Sequence, residues 1–95
     1  MEKIRLGLIG CGGMMNTHAK AVNDCNEALE ITAVCDVIRE RAEYVADYLG
    51  NAPFICTDYR EMVAHVDAVL VALPHDLHYE CGMFFAHQKK HVMME

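Results

Sequence analysis

The sequence is short of basic residues, with eight lysines and arginines against fourteen aspartates and glutamates and a formal net charge of −6. Nucleic-acid binding needs a basic surface that displaces counterions from phosphates, and Lys89-Lys90 is too short to form one. The sequence also lacks an apolar run long enough to cross a membrane, and no signal-peptide segment follows Met1. We therefore expect a cytoplasmic protein that binds neither nucleic acid nor membranes.

The cysteines lack the CxxC spacing of zinc sites and redox motifs. An odd number of scattered cysteines is typical of reduced thiols in a reducing compartment and not of a disulfide framework. A metal site would have to use His75, His78 and Cys81, but residues six apart on a helix do not share a face. We therefore expect no metal site. The five cysteines are Cys11, Cys25, Cys35, Cys56 and Cys81.

The length of 95 residues fits one domain, so we expect a single unit over residues 1–95 and no separate substrate domain. Hydrophobic residues make up 54% of the chain and charged residues 23%, which is typical of a globular protein. A chain of this size buries only a modest part of its surface, so the loss of a packing partner would favour self-association.

Short β-branched runs alternate with segments of helical periodicity along the whole chain. Strands are predicted at Ile4–Ile9, 31–35, Phe54–Cys56, 66–72 and His91–Met94. Helices are predicted at 14–22, at 38–49 with Gly50 as its C-terminal cap, at 58–64 with Asp58 and Glu61 as a capping box, and at 77–87. The last helix is expected to bury Leu77, Cys81, Phe84 and Phe85.

This alternation predicts the fold class. Strands joined by helices over short connections form right-handed crossovers and a parallel sheet with helices on both faces. We therefore expect an α/β fold, a doubly wound Rossmann-like sheet of about five strands in the order 3-2-1-4-5.

The turn after the first strand reads Gly10-Cys11-Gly12-Gly13-Met14-Met15, and a helix opens within it. Unpaired N–H groups and the dipole at a helix N-terminus favour a diphosphate. Gly10 permits the tight turn, and Gly12 carries no Cβ to obstruct the phosphate. Met15 departs from the usual pattern, in which a small residue lets the helix pack closely on the strand. A structural glycine loop is therefore the alternative interpretation.

Asp36 follows the second strand, where an acidic side chain can accept hydrogen bonds from the hydroxyls of an adenosine ribose. Its alternative role is to cap the following helix. A carboxylate at this position would repel the additional 2′-phosphate of NADP, and Val37 and Ile38 supply no compensating charge. NAD is thus the expected cofactor, with NADP less favoured, and Arg39 is expected to pair with neighbouring helix carboxylates.

These segments resemble the N-terminal half of the Gfo/Idh/MocA oxidoreductases over nearly the whole chain. Residues 3–12 resemble the opening strand and glycine turn, and His18 falls where the family's following helix carries a histidine. Residues 34–36 are similar to its ribose-binding strand end, and 57–62 to its short third helix. Residues 67–74 with His78 resemble its cofactor-flanking strand and loop, and 91–95 the strand before its Glu-Lys-Pro motif.

The resemblance implies a dinucleotide-binding domain that ends before the lysine of that motif. It places no catalytic residue in this sequence and leaves the family's acid-base residues and substrate domain outside it. His18 and Leu73-Pro74 also have purely structural interpretations, as a packing histidine and a strand end. The residues implied to lie near the cofactor are Gly10, Gly12, Gly13, Met14, Met15, Asp36, Leu73, Pro74, His78 and Glu95.

The leading functional hypothesis is the NAD-binding portion of an oxidoreductase that acts on CH–OH groups of a sugar, polyol or related substrate, inactive as this isolated fragment. The alternatives are a non-catalytic nucleotide-binding or assembly module and a structural fragment whose cofactor site is not used. In each case the fifth strand would be an exposed edge, so we expect self-association through the C-terminal edge of the sheet.

Overall fold

The computed structural model describes residues 3–12 and 28–94. These residues form one parallel sheet with helices packed on both faces. Its neighbouring strands pair in parallel, in the order β3-β2-β1-β4-β5. The predicted α/β class and strand order are confirmed. The strands are β1 (Ile4–Ile9), β2 (Leu29–Cys35), β3 (Phe54–Cys56), β4 (Ala68–Val71) and β5 (His91–Met94).

The described helices are α1 (Arg39–Leu49), a 3₁₀ helix (Tyr59–His65) and α2 (His75–His87). As predicted, α1 ends at Gly50, whose φ of 75° is left-handed and whose N–H donates to the carbonyl of Ala46. Neither α-helix is long and apolar enough to cross a membrane, and the cytoplasmic location stays a prediction. The predicted helix at 14–22 lies outside the described residues, as do Gly13, Met14, Met15, His18, Cys25 and Glu95.

The start of α2 differs from the prediction. Pro74 is its N-cap, and the carbonyl of Pro74 accepts hydrogen bonds from the N–H groups of Leu77 and His78. The helix therefore begins at residue 75, two residues earlier than the periodicity suggested, because proline lacks an N–H and favours a helix start. Cys81 and Phe85 are buried as expected, but Leu77 lies in the first turn, remains 44% exposed and does not join the core.

The 3₁₀ helix begins at the predicted aspartate but with a different pairing. The Asp58 carboxylate accepts from the N–H of Arg60, while the N–H of Glu61 donates to the backbone carbonyl of Asp58 at 3.0 Å. A hydrogen bond to the residue three positions earlier is the pattern of a 3₁₀ helix. It uses the N–H of Glu61, which in a capping box would donate to the Asp58 side chain.

One hydrophobic cluster covers each face of the sheet. Because both faces are buried, the sequences of β1 and β2 are nearly continuous apolar runs. The strand side chains alternate between the clusters, as the pleat requires. One cluster packs under α1 and contains Leu6, Leu8, Cys11, Ile31, Val34, Ala42, Val45, Ala46, Leu49 and Ala68. The other packs under α2 and the 3₁₀ helix and contains Ile9, Ala33, Cys35, Cys56, Met62, Val66, Val69, Val71, Cys81 and Phe85.

A β-bulge interrupts the pairing of β1 with β2. Leu6 lies opposite Ile31, whereas Gly7 lies opposite Ala33, so Thr32 is an additional residue in β2. The Thr32 hydroxyl donates to the carbonyl of His65 at 2.6 Å, which joins the bulge to the end of the 3₁₀ helix. Because side chains alternate along a strand, the additional residue lets both Ile31 and Val34 face α1.

Candidate functional site

A cleft of about 360 Å³ opens at the carboxyl ends of the strands. It lies where the strand order reverses between β1 and β4, so that the loops diverge and leave the crevice in which such sheets bind ligands. The ends of β1, β2 and β3, the loop after β4 and the start of α2 form its walls. The lining residues are Ile9, Gly10, Cys35, Asp36, Val37, Thr57, Asp58, Tyr59, Arg60, Leu73, Leu77 and Glu80.

Gly10 turns the chain sharply at the end of β1. Its φ is +89°, and a Cβ at this position would lie 2.6 Å from the carbonyl oxygen of Ala72 in the loop after β4. Its own N–H donates to the carbonyl of Cys35 at 2.9 Å. Glycine is therefore required here for both backbone conformation and space, as the sequence predicted.

Gly12 stands in a different environment. A Cβ built on it meets no described atom within 4 Å, and its φ is not in the left-handed region. Packing against the described residues therefore does not explain a glycine at this position. Open space above the turn is what the approach of a phosphate to the backbone would require.

The N–H groups at the start of the turn are already committed. Gly10 donates to Cys35, and Cys11 donates to the Asp36 carboxylate at 2.8 Å. The N–H groups of Gly10 and Cys11 therefore already have acceptors within the chain. The backbone donors predicted to bind a diphosphate begin at Gly12. Gly13, Met14 and Met15, to which the prediction assigned the same role, lie outside the described residues.

Asp36 is the one buried charged residue among those described, with 7% of its surface exposed. One carboxylate oxygen accepts from the N–H of Cys11 and the other from the N–H of Ile38, each at 2.8 Å. The helix that follows has Ile38 as its N-cap and no side-chain cap, so the alternative role of Asp36 as a helix cap is not what the structure shows. Each carboxylate oxygen can accept a further hydrogen bond from the cleft.

A second polar group comes from the loop after β3. Arg60 forms a bidentate ion pair with Asp58, with Nε 3.0 Å from Oδ1 and Nη2 2.8 Å from Oδ2. The Arg60 guanidinium holds the pKa of Asp58 below its usual range. Among the described lining residues the one cation is thus paired with a carboxylate of the lining, and Asp36 and Glu80 give these residues an excess of negative charge.

Tyr59 forms part of the wall between that loop and α2. Its ring packs edge-on against Phe84, with centroids 5.6 Å apart, and burial raises the pKa of its hydroxyl. Leu73 and Leu77 add apolar surface beside it. The cleft therefore combines apolar walls with a buried carboxylate, the combination that binding sites for small molecules favour.

The structure brings together three of the predicted site residues, Gly10, Asp36 and Leu73, in the cleft lining. Gly12 lies on the adjoining turn. Pro74 is exposed at the start of α2 and His78 is half-buried one turn later; neither lines the cleft. Gly13, Met14, Met15 and Glu95 lie outside the described residues. Among those that are described, no group of three histidine, cysteine or acidic side chains could hold a metal ion.

The prediction missed the contribution of the loop after β3. Thr57, Asp58 and Arg60 line the cleft because β3 pairs with β2, so the residues that follow Cys56 stand beside those that follow Cys35. The signal that could have found them is the position that marked Asp36, directly after a buried parallel strand.

The profile of an oxidoreductase family with an NAD-binding Rossmann fold matches residues 4–95. Inositol 2-dehydrogenase of Rhizobium meliloti is 34% identical over 92 residues, which cover 97% of this chain and 27% of that protein. Glucose-6-phosphate 3-dehydrogenase of Bacillus subtilis is 30% identical over 91 residues, which cover 96% of this chain and 25% of that protein. The chain thus spans about a quarter of the length of these curated relatives.

Solved structures share the fold. Scyllo-inositol dehydrogenase from Lactobacillus casei, with bound NAD(H) and scyllo-inositol, superposes with a TM-score of 0.89 at 23% identity over 98% of this chain and 28% of that one. A 3-ketoreductase from Actinomadura kijaniata in complex with NADP gives a TM-score of 0.87 at 27% identity over 98% of this chain and 30% of that one.

Proposed function

Because this chain belongs to the Gfo/Idh/MocA oxidoreductase family, we propose that it is the cofactor-binding portion of an enzyme that acts on CH–OH groups of a sugar, polyol or related substrate. The family and its NAD-binding fold, both expected from the sequence, are confirmed by the match over residues 4–95. Support for the substrate class comes from two curated relatives, whose names specify an inositol and a sugar phosphate.

The observation that carries the proposal is the Asp36 carboxylate beside the turn that contains Gly10 and Gly12. Two backbone N–H groups fix its orientation, so it can accept hydrogen bonds from the two hydroxyls of a ribose without rearranging. Among the described residues, no atom lies within 4 Å of a Cβ built on Gly12, which is compatible with a diphosphate above the turn. Leu73 and Leu77 add apolar surface to the neighbouring wall. When bound, the dinucleotide would supply the hydride-transfer chemistry.

The charges in the cleft favour NAD over NADP. An additional 2′-phosphate would lie near Asp36, and the nearest lining cation, Arg60, is paired with Asp58. Arg39 interacts with Glu43 along α1, with Nε and Oε2 3.7 Å apart. A phosphate dianion would therefore meet an excess of carboxylates at this end of the cleft.

Fluorescence titration of the chain with NADH and with NADPH tests this proposal. We expect saturable binding of NADH and weaker binding of NADPH. Val37 is 80% exposed at the rim of the cleft, so Val37→Arg should leave the fold intact and narrow the difference by roughly tenfold. Tyr44→Arg, on the exposed surface of α1, is the control. Absence of NADH binding, or equal affinities that Val37→Arg does not change, would contradict the proposal.

We propose that the 95 residues bind the dinucleotide and do not turn over substrate by themselves. The chain spans about a quarter of the curated relatives, and hydride transfer needs the alcohol and the cofactor to be oriented against each other. An assay with NAD and a panel of sugars and polyols should give no NADH. Turnover of any of them by the purified chain would refute this part of the proposal.

We further propose that the chain self-associates through β5. In the described part of the sheet β5 is an edge strand, and Met93 on it is 43% exposed. An edge strand offers backbone donors and acceptors to the edge of a second copy. Light scattering should show a mass that rises with concentration and falls in Met93→Lys, whereas Tyr44→Lys on α1 has no effect. A strict monomer at high concentration would exclude this association.

A further inference from the structure

Two cysteines occupy paired positions where β2 and β3 end. Cys35 and Cys56 are register partners on adjacent parallel strands, and both side chains belong to the hydrophobic cluster under α2. Neighbouring strands lie about 4.8 Å apart, and the Cα atoms of a disulfide lie about 4.4–6.8 Å apart. The backbone therefore already provides the separation that a bond between these two sulfurs needs.

The two thiols also interact directly. The hydrogen-bonding contact between the two thiols lowers the pKa of Cys56 and, together with burial, raises that of Cys35. Cys56 is therefore the thiol of the pair that ionises more readily, and a thiolate is the reactive form of cysteine. Cys35 lines the cleft, and Cys56 lies beside it at the end of the adjacent strand.

The remaining described cysteines are placed differently. Cys11 packs in the other cluster, its sulfur is 3.3 Å from the carbonyl of Cys35, and burial together with Asp36 raises its pKa to about 12. Cys81 lies on α2, where burial and Glu80 raise its pKa to about 11. Both thiols remain protonated at neutral pH, and neither has the paired strand position of Cys35 and Cys56.

We propose that Cys35 and Cys56 form a reversible disulfide when the protein meets a peroxide, so that the strand ends beside the cleft are an oxidation-sensitive site. The Cys56 thiolate attacks one peroxide oxygen, the O–O bond breaks, and the departing hydroxide takes the proton of Cys35 to leave as water. The Cys35 thiolate then attacks the sulfenic sulfur of Cys56 and expels hydroxide, which is protonated to a second water. Two thiols are oxidised and one peroxide is reduced.

Closing this bond would act on the cleft. Asp36 follows Cys35 directly and its N–H donates to the carbonyl of Cys56 at 3.3 Å, while Thr57 follows Cys56 in the lining. A disulfide would hold the two Cβ atoms about 3.8 Å apart and would therefore fix the orientation of the Cys35 side chain, which lines the cleft. The expected effect on dinucleotide affinity rests on the proposed function, whereas the disulfide does not.

The test is peptide mapping of the 95-residue chain after treatment with hydrogen peroxide and alkylation of the remaining thiols. Trypsin places Cys56 on residues 42–60 and both Cys25 and Cys35 on residues 21–39. Cleavage after Glu27 and Glu30 then separates those two cysteines. We expect residues 31–39 linked to the peptide of Cys56, the loss of two free thiols per chain, and recovery of both with dithiothreitol.

Variants distinguish the pair from its neighbours. Cys35→Ala and Cys56→Ala should each abolish the link, whereas Cys81→Ala, a change in the same cluster, should keep it. A link through Cys11 or Cys25, sulfinic acid without a link, or five thiols that still alkylate after peroxide would overturn the proposal. This mapping uses the unaltered chain, so the outcome does not depend on whether a variant folds.

A second measurement separates this inference from the proposed function. NADH titration of the oxidised chain should give an affinity lower by roughly threefold or more, restored by reduction. If neither form binds NADH while the Cys35–Cys56 peptide is found, the cofactor role is wrong and the disulfide stands. If NADH binds but no link forms, the cofactor role stands and the disulfide is wrong.

Discussion

Asp36 and Asp67 each accept a backbone hydrogen bond at one end of β1, in opposite environments. At the amino end, Asp67 accepts from the N–H of Arg5 at 2.9 Å and pairs with its guanidinium at 3.0 Å, with both side chains nearly half exposed. At the carboxyl end, Asp36 is buried and accepts from two backbone N–H groups. The chain thus neutralises one carboxylate with its own cation and fixes the other with amides, which leaves a negative charge facing the cleft.

The glycine loops at the two ends of the sheet also differ, in how closely their backbone is packed. At the amino end, Gly50 is left-handed but a Cβ there would meet no described atom within 4 Å. At the carboxyl end, Gly10 is left-handed and tightly packed against the Ala72 carbonyl. The backbone is therefore packed more tightly at the turn that lines the cleft than at the loop after α1, and the predictions below test this contrast.

The largest effect is expected for Gly10→Ala. An alanine at this position would have to adopt a positive φ, and its Cβ would lie 2.6 Å from the carbonyl oxygen of Ala72, a backbone atom with little freedom to move. We expect a loss of about 3–5 kcal/mol in the free energy of unfolding. Gly50→Ala, with the strained φ alone, should lose about 1–2 kcal/mol. Urea unfolding followed by circular dichroism measures both, and equal losses would break the contrast between the ends.

A smaller effect is expected for Asp36→Asn. A carboxamide has one acceptor oxygen, so either orientation turns its NH₂ toward the N–H of Cys11 or of Ile38. The unfolding free energy should fall by about 2 kcal/mol, and NADH affinity should fall with it. Asp67→Asn is the matched control, because its exposed oxygen can still accept from Arg5. Comparable losses of unfolding free energy in the two variants would show that the burial of Asp36 does not make its substitution more costly than that of Asp67.

The smallest effect concerns the Arg5–Asp67 pair in acid. The hydrogen bond from Arg5 lowers the pKa of Asp67, so this carboxylate adds stability above its unfolded pKa of about 3.9 and loses it as the pH falls toward the folded value. Below about pH 4 the unaltered chain should therefore lose stability more steeply than Asp67→Asn. The difference should shrink in high salt because the pair is exposed. Identical pH profiles of stability for the unaltered chain and Asp67→Asn would show that the Arg5–Asp67 pair adds no stability.

Most of the fold could be predicted from the sequence because β-branched runs and short connections are local signals. The strands Ile4–Ile9, Phe54–Cys56 and His91–Met94 have the predicted bounds, while β2 begins two residues earlier than predicted and β4 is shorter than predicted. Strand order follows from right-handed crossovers, which apply to any such alternation. The start of α2 was misplaced because periodicity counts buried residues, whereas Leu77 in the first turn of this helix lines the cleft and stays exposed.

The candidate site was less predictable because it is assembled from separate loops. Gly10 and Asp36 carried recognisable spacing, but the burial of Asp36 and its bond to Cys11 depend on how far β2 extends beside β1. Arg60 and Thr57 enter the cleft only through the pairing of β3 with β2. No periodicity in the sequence reports such long-range neighbours.

Thr32 has a consequence for how this chain can vary among relatives. As the additional residue of the bulge, it takes no register position opposite β1, so β2 can gain or lose a residue at this point while Asp36 and Cys35 keep their places. A one-residue change in the length of β2 at the bulge would therefore leave the end of the strand that lines the cleft in register with β1.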